Sequence, residues 1–106
     1  MSTSEQMYND YGPRDHDVII DGCRLIQTCC ACPEQYDVFN DATGQQIGYL
    51  RLRHGHFRAD YPDCGGDTVY ESRPRGDGFF EDDERQEELT KAVKALLHRI
   101  AKENAH

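Results

Sequence analysis

The stretch from Tyr49 to Tyr61 constrains this chain more than any other, because apolar and polar residues alternate there on either side of one turn signal. Successive side chains of a strand point to opposite faces, so such alternation describes a strand pair with one buried face and one wet face. The turn falls at His54-Gly55. Two-residue hairpin loops need positive φ, which Gly adopts freely and His tolerates better than most side chains. Closing the hairpin there pairs Arg53 with His56, Leu52 with Phe57, Arg51 with Arg58, Leu50 with Ala59 and Tyr49 with Asp60. One face then carries Leu50, Leu52, Phe57, Ala59 and Tyr61. The other carries Tyr49, Arg51, Arg53, His56 and Arg58.

The remaining elements are read around this hairpin. Val18-Ile19-Ile20 is a short apolar run ending in the turn pair Asp21-Gly22, and Arg24–Thr28 is a second short β-like stretch. Tyr36–Asn40 is strand-like, and Asp41–Gly44 supplies the turn chemistry that returns the chain along Ile47–Arg53. A four-residue loop pairs Val38 with Ile47; a three-residue loop with a bulge shifts the pairing by one and flips the faces, and the pattern does not choose between them. Thr68–Glu71 reads as a further strand and Arg73–Gly78 as a loop. A helix follows, with Asp82 or Asp83 as N-cap, acids in its first turn, and Lys91, Lys94, Arg99 and Lys102 toward its end. Leu89, Val93, Leu96, Leu97 and Ile100 fall at helical spacing and form one apolar stripe, suited to the apolar face of the sheet. The expected fold class is α+β: an antiparallel β-meander of three to five strands covered by one C-terminal amphipathic helix. Residues 1–22 read as an acidic, flexible N-terminal arm and residues 23–106 as a single domain.

With 106 residues and a 37% apolar fraction, the chain has material for one modest core. Its net charge of -8 disfavours direct contact with nucleic-acid backbone or membrane headgroups unless basic residues are concentrated locally. They are: residues 49–58 hold three arginines and no carboxylate, whereas residues 81–88 hold six acids and one base. No N-terminal basic region precedes an apolar run, and no apolar run is long enough to span a bilayer, so a cytoplasmic location is expected. There, the five cysteines are expected as thiols or metal ligands rather than disulfides. Cys29 and Cys32 form a C-x-x-C knuckle that could hold zinc with Cys64 as third ligand and Cys23, His54 or His56 as fourth. A structural zinc site ordinarily pairs two such knuckles, and here the second half is a single cysteine, so isolated thiols are the default expectation and no cofactor is assigned. No Walker-type loop and no H-E-x-x-H occur, and no Ser/His/Asp arrangement has a supporting motif, so no enzymatic activity is expected.

The candidate binding residues are Tyr49, Arg51, Arg53, His56 and Arg58. Arg51 opposite Arg58 sets like charges across a strand pair, which is costly unless an anion lies between them. Arginine forks grip phosphate in bidentate fashion, and Tyr49 could stack on a base. The simpler alternative is that acids of the helix start or the N-terminal arm neutralise the patch within the molecule. The acidic block 81–88 has a functional reading too, as a mimic of a phosphate backbone, beside the ordinary one of a solvated helix start.

The residues Gly48-Tyr49-Leu50-Arg51-Leu52-Arg53-His54-Gly55-His56-Phe57-Arg58, continuing through Tyr61-Pro62-Asp63 and Gly65-Gly66 to Val69-Tyr70-Glu71, resemble small uncharacterised proteins of bacteriophages and prophages over roughly residues 32–100. The resemblance implies a non-enzymatic protein directed at a host protein or defence system. A similarity of 36–53 to the acetyltransferase fold stops there, because the glycine-rich pyrophosphate-binding loop is missing. The expected function is therefore that of a small acidic binding protein acting on another protein through its Arg/His hairpin face. The alternatives are binding of a nucleotide or other phosphate-bearing small molecule, or a small zinc module.

Overall fold

A computed structural model describes residues 18–28 and 34–104. Among these, six strands form one antiparallel sheet in sequence order: β1 (Val18–Ile20), β2 (Cys23–Gln27), β3 (Glu34–Asn40), β4 (Gln46–Arg53), β5 (His56–Tyr61) and β6 (Asp67–Ser72), followed by helix α1 (Asp82–Asn104). The α+β class and the meander are as read from the sequence. The strand number exceeds the expected three to five, because Val18–Ile20 and Arg24–Thr28 both join the sheet. They are short, but each finds a partner in the strand next to it: Ile19 opposes Arg24, and Leu25 opposes Val38. The sheet thus begins at Val18, inside the stretch read as the N-terminal arm.

The central hairpin of β4 and β5 has the register that its alternation dictates, from Tyr49 opposite Asp60 to Arg53 opposite His56. His54 and Gly55 sit at φ 54° and 72°, both positive, as the two-residue turn requires. Between β3 and β4 the shifted alternative is realised: Val38 lies opposite Gly48, and an irregularity separates that pair from Phe39 opposite Gln46.

Gly48 shows what this register achieves. A Cβ placed there would meet Leu96 Cδ1 at 2.5 Å and Cδ2 at 2.8 Å, so glycine is what lets α1 lie directly on the sheet. Leu89, Ala92, Val93 and Leu96 of the helix bury their side chains against Leu25, Val38, Leu50, Leu52, Phe57 and Ala59. Each large apolar side chain so buried contributes about 1.5–3 kcal/mol relative to leaving it in water. Leu97 and Ile100 border this core. Phe57 at its centre meets Phe80 and Tyr70 edge to face, with ring centroids 4.8 and 5.9 Å apart.

The N-cap of α1 is Glu81, one residue before the expected Asp82 or Asp83. Glu84 reaches back to accept from the Glu81 N–H at 2.9 Å, as a capping-box acid does. The same carboxylate accepts from the N–H groups of Arg75 and Gly76, fixing the loop before the helix. Burial alone would raise the Glu84 carboxyl; these backbone donors and Arg75 hold it below its ordinary value.

Candidate functional site

The sheet has two faces, and α1 covers one. The register places Asp37, Tyr49 and Asp60 in one row of the other face, and Gln35, Arg51, Arg58 and Glu71 in the next. Arg53 and His56 form the row after that. Together Arg51, Arg53, His54, His56, Arg58 and Arg73 line a shallow, open concavity of about 400 Å³. The structure therefore brings together four of the five expected binding residues.

Tyr49 is placed differently. It shares the face but is buried, 7% exposed, with its hydroxyl donating to Gln35 Oε1 at 2.9 Å. Burial raises its pKa, as does the nearby Cys64, against a smaller opposing effect of Arg51 and Arg58. A ring held in that way supports the sheet and cannot stack on an incoming base. Arg73, read from the sequence as the start of a loop, joins the concavity because Ser72 opposes Phe57, so the next residue of the chain falls beside His56, a register no sequence pattern gives.

The guanidinium groups of this face are distinguished by what they lack. Eight arginines fall among the described residues. The four outside the concavity each donate to a carboxylate: Arg24 to Asp41, Arg75 to Asp83, Arg85 to Glu34, and Arg99 to Asp67. Arg51, Arg53, Arg58 and Arg73 donate a hydrogen bond to no described residue, and the Nε atoms of Arg51 and Arg58 are withdrawn from water as well. Arg58 Nε lies 3.3 Å from Asp60 Oδ2, an ion-pair distance at which its N–H does not point to the oxygen. The buried Asp60 carboxylate instead accepts from the Thr68 hydroxyl at 2.9 Å and the Gly65 N–H at 3.3 Å, which closes the loop between β5 and β6. His56 Nε2 pairs with Glu71 at 2.8 Å.

The acid-rich helix start does not neutralise this patch. It lies at the other face of the sheet and has its own partners. Asp82 pairs with Arg85, Asp83 with Arg75, and Glu87 with Lys91, while Glu88 accepts from the Tyr70 and Ser72 hydroxyls. A block of acids engaged in this way is a poor mimic of a phosphate backbone.

Besides Asp60, the other fully buried charge among the described residues is Glu34, also at 2% exposure. Arg85 grips it bidentately at 2.8 and 3.1 Å, the Phe80 N–H donates at 3.0 Å, and the Tyr36 hydroxyl donates as well. Burial alone raises the carboxyl; these donors outweigh it and hold Glu34 below the ordinary glutamate value, while burial and the adjacent carboxylate raise Tyr36. Glu34 and Arg85 are 51 residues apart, and no local pattern announces the pair. With every oxygen occupied and no access to solvent, the cluster joins β3, the 73–81 loop and α1, and offers nothing to a substrate.

Of the expected metal ligands, Cys29 and Cys32 lie outside the described residues. Cys64 is exposed on the loop between β5 and β6. Cys23 is buried in the core beside Ile20 and Leu25, where burial raises its thiol pKa. Among the described residues, no three His, Cys, Asp or Glu side chains are grouped to hold a metal ion. No described helix is long and apolar enough to cross a membrane. Compared with known proteins, the chain matches no family model, no curated protein and no solved structure.

Proposed function

We propose that this is a small non-enzymatic binding protein, and that its recognition surface is the Arg51, Arg53, His56, Arg58 and Arg73 face. What it recognises is an anionic group. The observation that carries this reading is a contrast among the described arginines: those outside the concavity all donate to carboxylates, whereas those within it donate a hydrogen bond to no described residue, with Arg58 only at ion-pair distance from Asp60. Buried donors in folded proteins nearly always have a partner, so the two buried, unpartnered Nε atoms of Arg51 and Arg58 mark a place where a ligand can supply the acceptor. Double-helical nucleic acid is a poor candidate for that acceptor, since a net charge of -8 repels it over the rest of the surface.

The resemblance to phage and prophage proteins adds a direction: the anionic group belongs to a component of a host cell, a protein or a part of its defence. The double charge reversal Arg51→Glu/Arg53→Glu tests the reading. It is expected to abolish capture of the partner from host lysate while the circular dichroism spectrum and unfolding midpoint stay close to those of the unmodified protein. Capture that persists in a folded double variant would overturn it.

A further inference from the structure

We infer that the concavity is a binding site for a phosphate-bearing small molecule of the pyrophosphate or nucleoside diphosphate class, held by Arg51 and Arg58 with Arg53 and Arg73 at its rim. This rests on the reading of that face as an anion site and narrows it to one chemistry.

Net charge alone does not select the ligand. Asp60 and Glu71 stand beside Arg58 and His56, and Asp77 Oδ1 lies 3.8 Å from where a Gly55 Cβ would be. Acceptor geometry does select it. Every cation on this face that is free to donate is a guanidinium, a planar fork whose paired N–H groups match two oxygens of one phosphoryl group. Arg51 and Arg58 are fixed opposite each other by the strand register; Asp60 and Glu71 offset part of the like-charge cost at Arg58, and one phosphoryl group set between the two forks offsets the rest. Arg53 and Arg73 lie one row further toward the turn and add a second, solvent-exposed group of guanidinium donors. A single carboxylate has two oxygens and satisfies one fork. Two linked phosphoryl groups supply several acceptors and can span both rows.

The shape agrees with the chemistry. A volume of about 400 Å³ falls at the low end of the roughly 300–1,000 Å³ typical of small-molecule sites. His54 and His56 add ring nitrogens at the turn end, where His56 is already oriented by Glu71. The open mouth places the remainder of a nucleotide in solvent and leaves its base unread. The buried Tyr49 offers it no stacking surface. The site is therefore expected to discriminate by phosphate content and to be indifferent to the identity of the base.

Isothermal titration of the full chain with sodium pyrophosphate and with ADP tests this, with citrate and a glutamate-rich peptide as carboxylate comparators. Pyrophosphate and ADP are expected to bind with similar affinity, and both more tightly than either carboxylate. Arg51→Gln/Arg58→Gln is expected to weaken pyrophosphate by about tenfold or more, the loss of charge-assisted hydrogen bonds. Lys94→Gln removes the same type of charge from α1 and is expected to leave affinity unchanged. Should the double variant fold poorly, Arg53→Gln, at an exposed position, reports on the same site. If citrate or the peptide binds as tightly as pyrophosphate, the phosphate inference fails and the anion-site reading stands. If none of the four binds, both fail. Pyrophosphate binding that is insensitive to the arginine substitutions places the site elsewhere and overturns the inference.

Discussion

At the scale of single residues, the molecule contains two opposite uses of arginine. Arg85 is spent on structure: it neutralises Glu34, the one carboxylate at the centre of the contact between β3, the loop and the helix. Removing one partner from such a pair leaves the other partly buried and uncompensated, which costs about 3–5 kcal/mol, whereas replacing both with apolar groups is often neutral. Glu34→Gln is accordingly expected to lower stability by about 3 kcal/mol at neutral pH in urea unfolding, and Glu34→Leu/Arg85→Met to recover most of the loss. The pH dependence follows in sign. Because the folded-state pKa of Glu34 is lowered, its contribution is fully present above the ordinary glutamate value of about 4.3 and is lost as pH falls toward the folded-state value. The stability gap between the unmodified protein and Glu34→Gln should therefore close below about pH 4. A gap that is unchanged there would show that the charge is not what matters. Neither partner could be picked out from the sequence, since a pair 51 residues apart has no local signature. The face of Arg51 and Arg58 was legible for the opposite reason: its geometry is set entirely within one hairpin.

At the scale of elements, strength of pattern decided what could be read. The hairpin of β4 and β5 and helix α1 carry clean periodicities and came out with their registers and faces intact, apart from one residue at the helix cap. β1 and β2, at three and five residues, stand out in the sequence as apolar or β-like stretches but are too short to show a period, and only the strands beside them fix their place in the sheet. The β3–β4 register could not be settled from turn length, because what settles it is the approach of a helix some fifty residues later. Gly48 must face Leu96, so the bulge falls where it does. Gly48→Ala is expected to destabilise by about 1–3 kcal/mol, the usual cost of overpacking a filled core. Leu96 is fully buried and cannot simply swing away. In a double-mutant cycle, Gly48→Ala should cost less in a Leu96→Ala background, where the space it needs has been opened. Strictly additive effects measured by thermal unfolding would sink this account of the register.

At the scale of the whole molecule, a sheet with an apolar face and a donor-rich face depends on one helix for cohesion, and α1 leaves the donor-rich side uncovered. Beyond the core, α1 is tied down at its C-terminal end by Arg99, which bonds Asp67 at 2.7 Å and lies over the Tyr61 ring at 5.0 Å from its centroid. A chain shortened to end at Glu81 is expected to lose cooperative unfolding and to bind a dye specific for exposed apolar surface, since Leu89, Ala92, Val93 and Leu96, which share the core with Leu50, Leu52 and Phe57, are removed. A sharp cooperative transition in that fragment would show that the sheet holds itself. The strand order has a consequence for how the protein is made. Every strand pairs with its neighbour in sequence, so each hairpin can close as soon as it leaves the ribosome, without waiting for distant chain. The helix cannot join until its 23 residues have been added, a delay of about one to five seconds at typical synthesis rates. During that interval the nascent sheet is a sticky, half-finished surface, open to association with other chains at the same stage of synthesis.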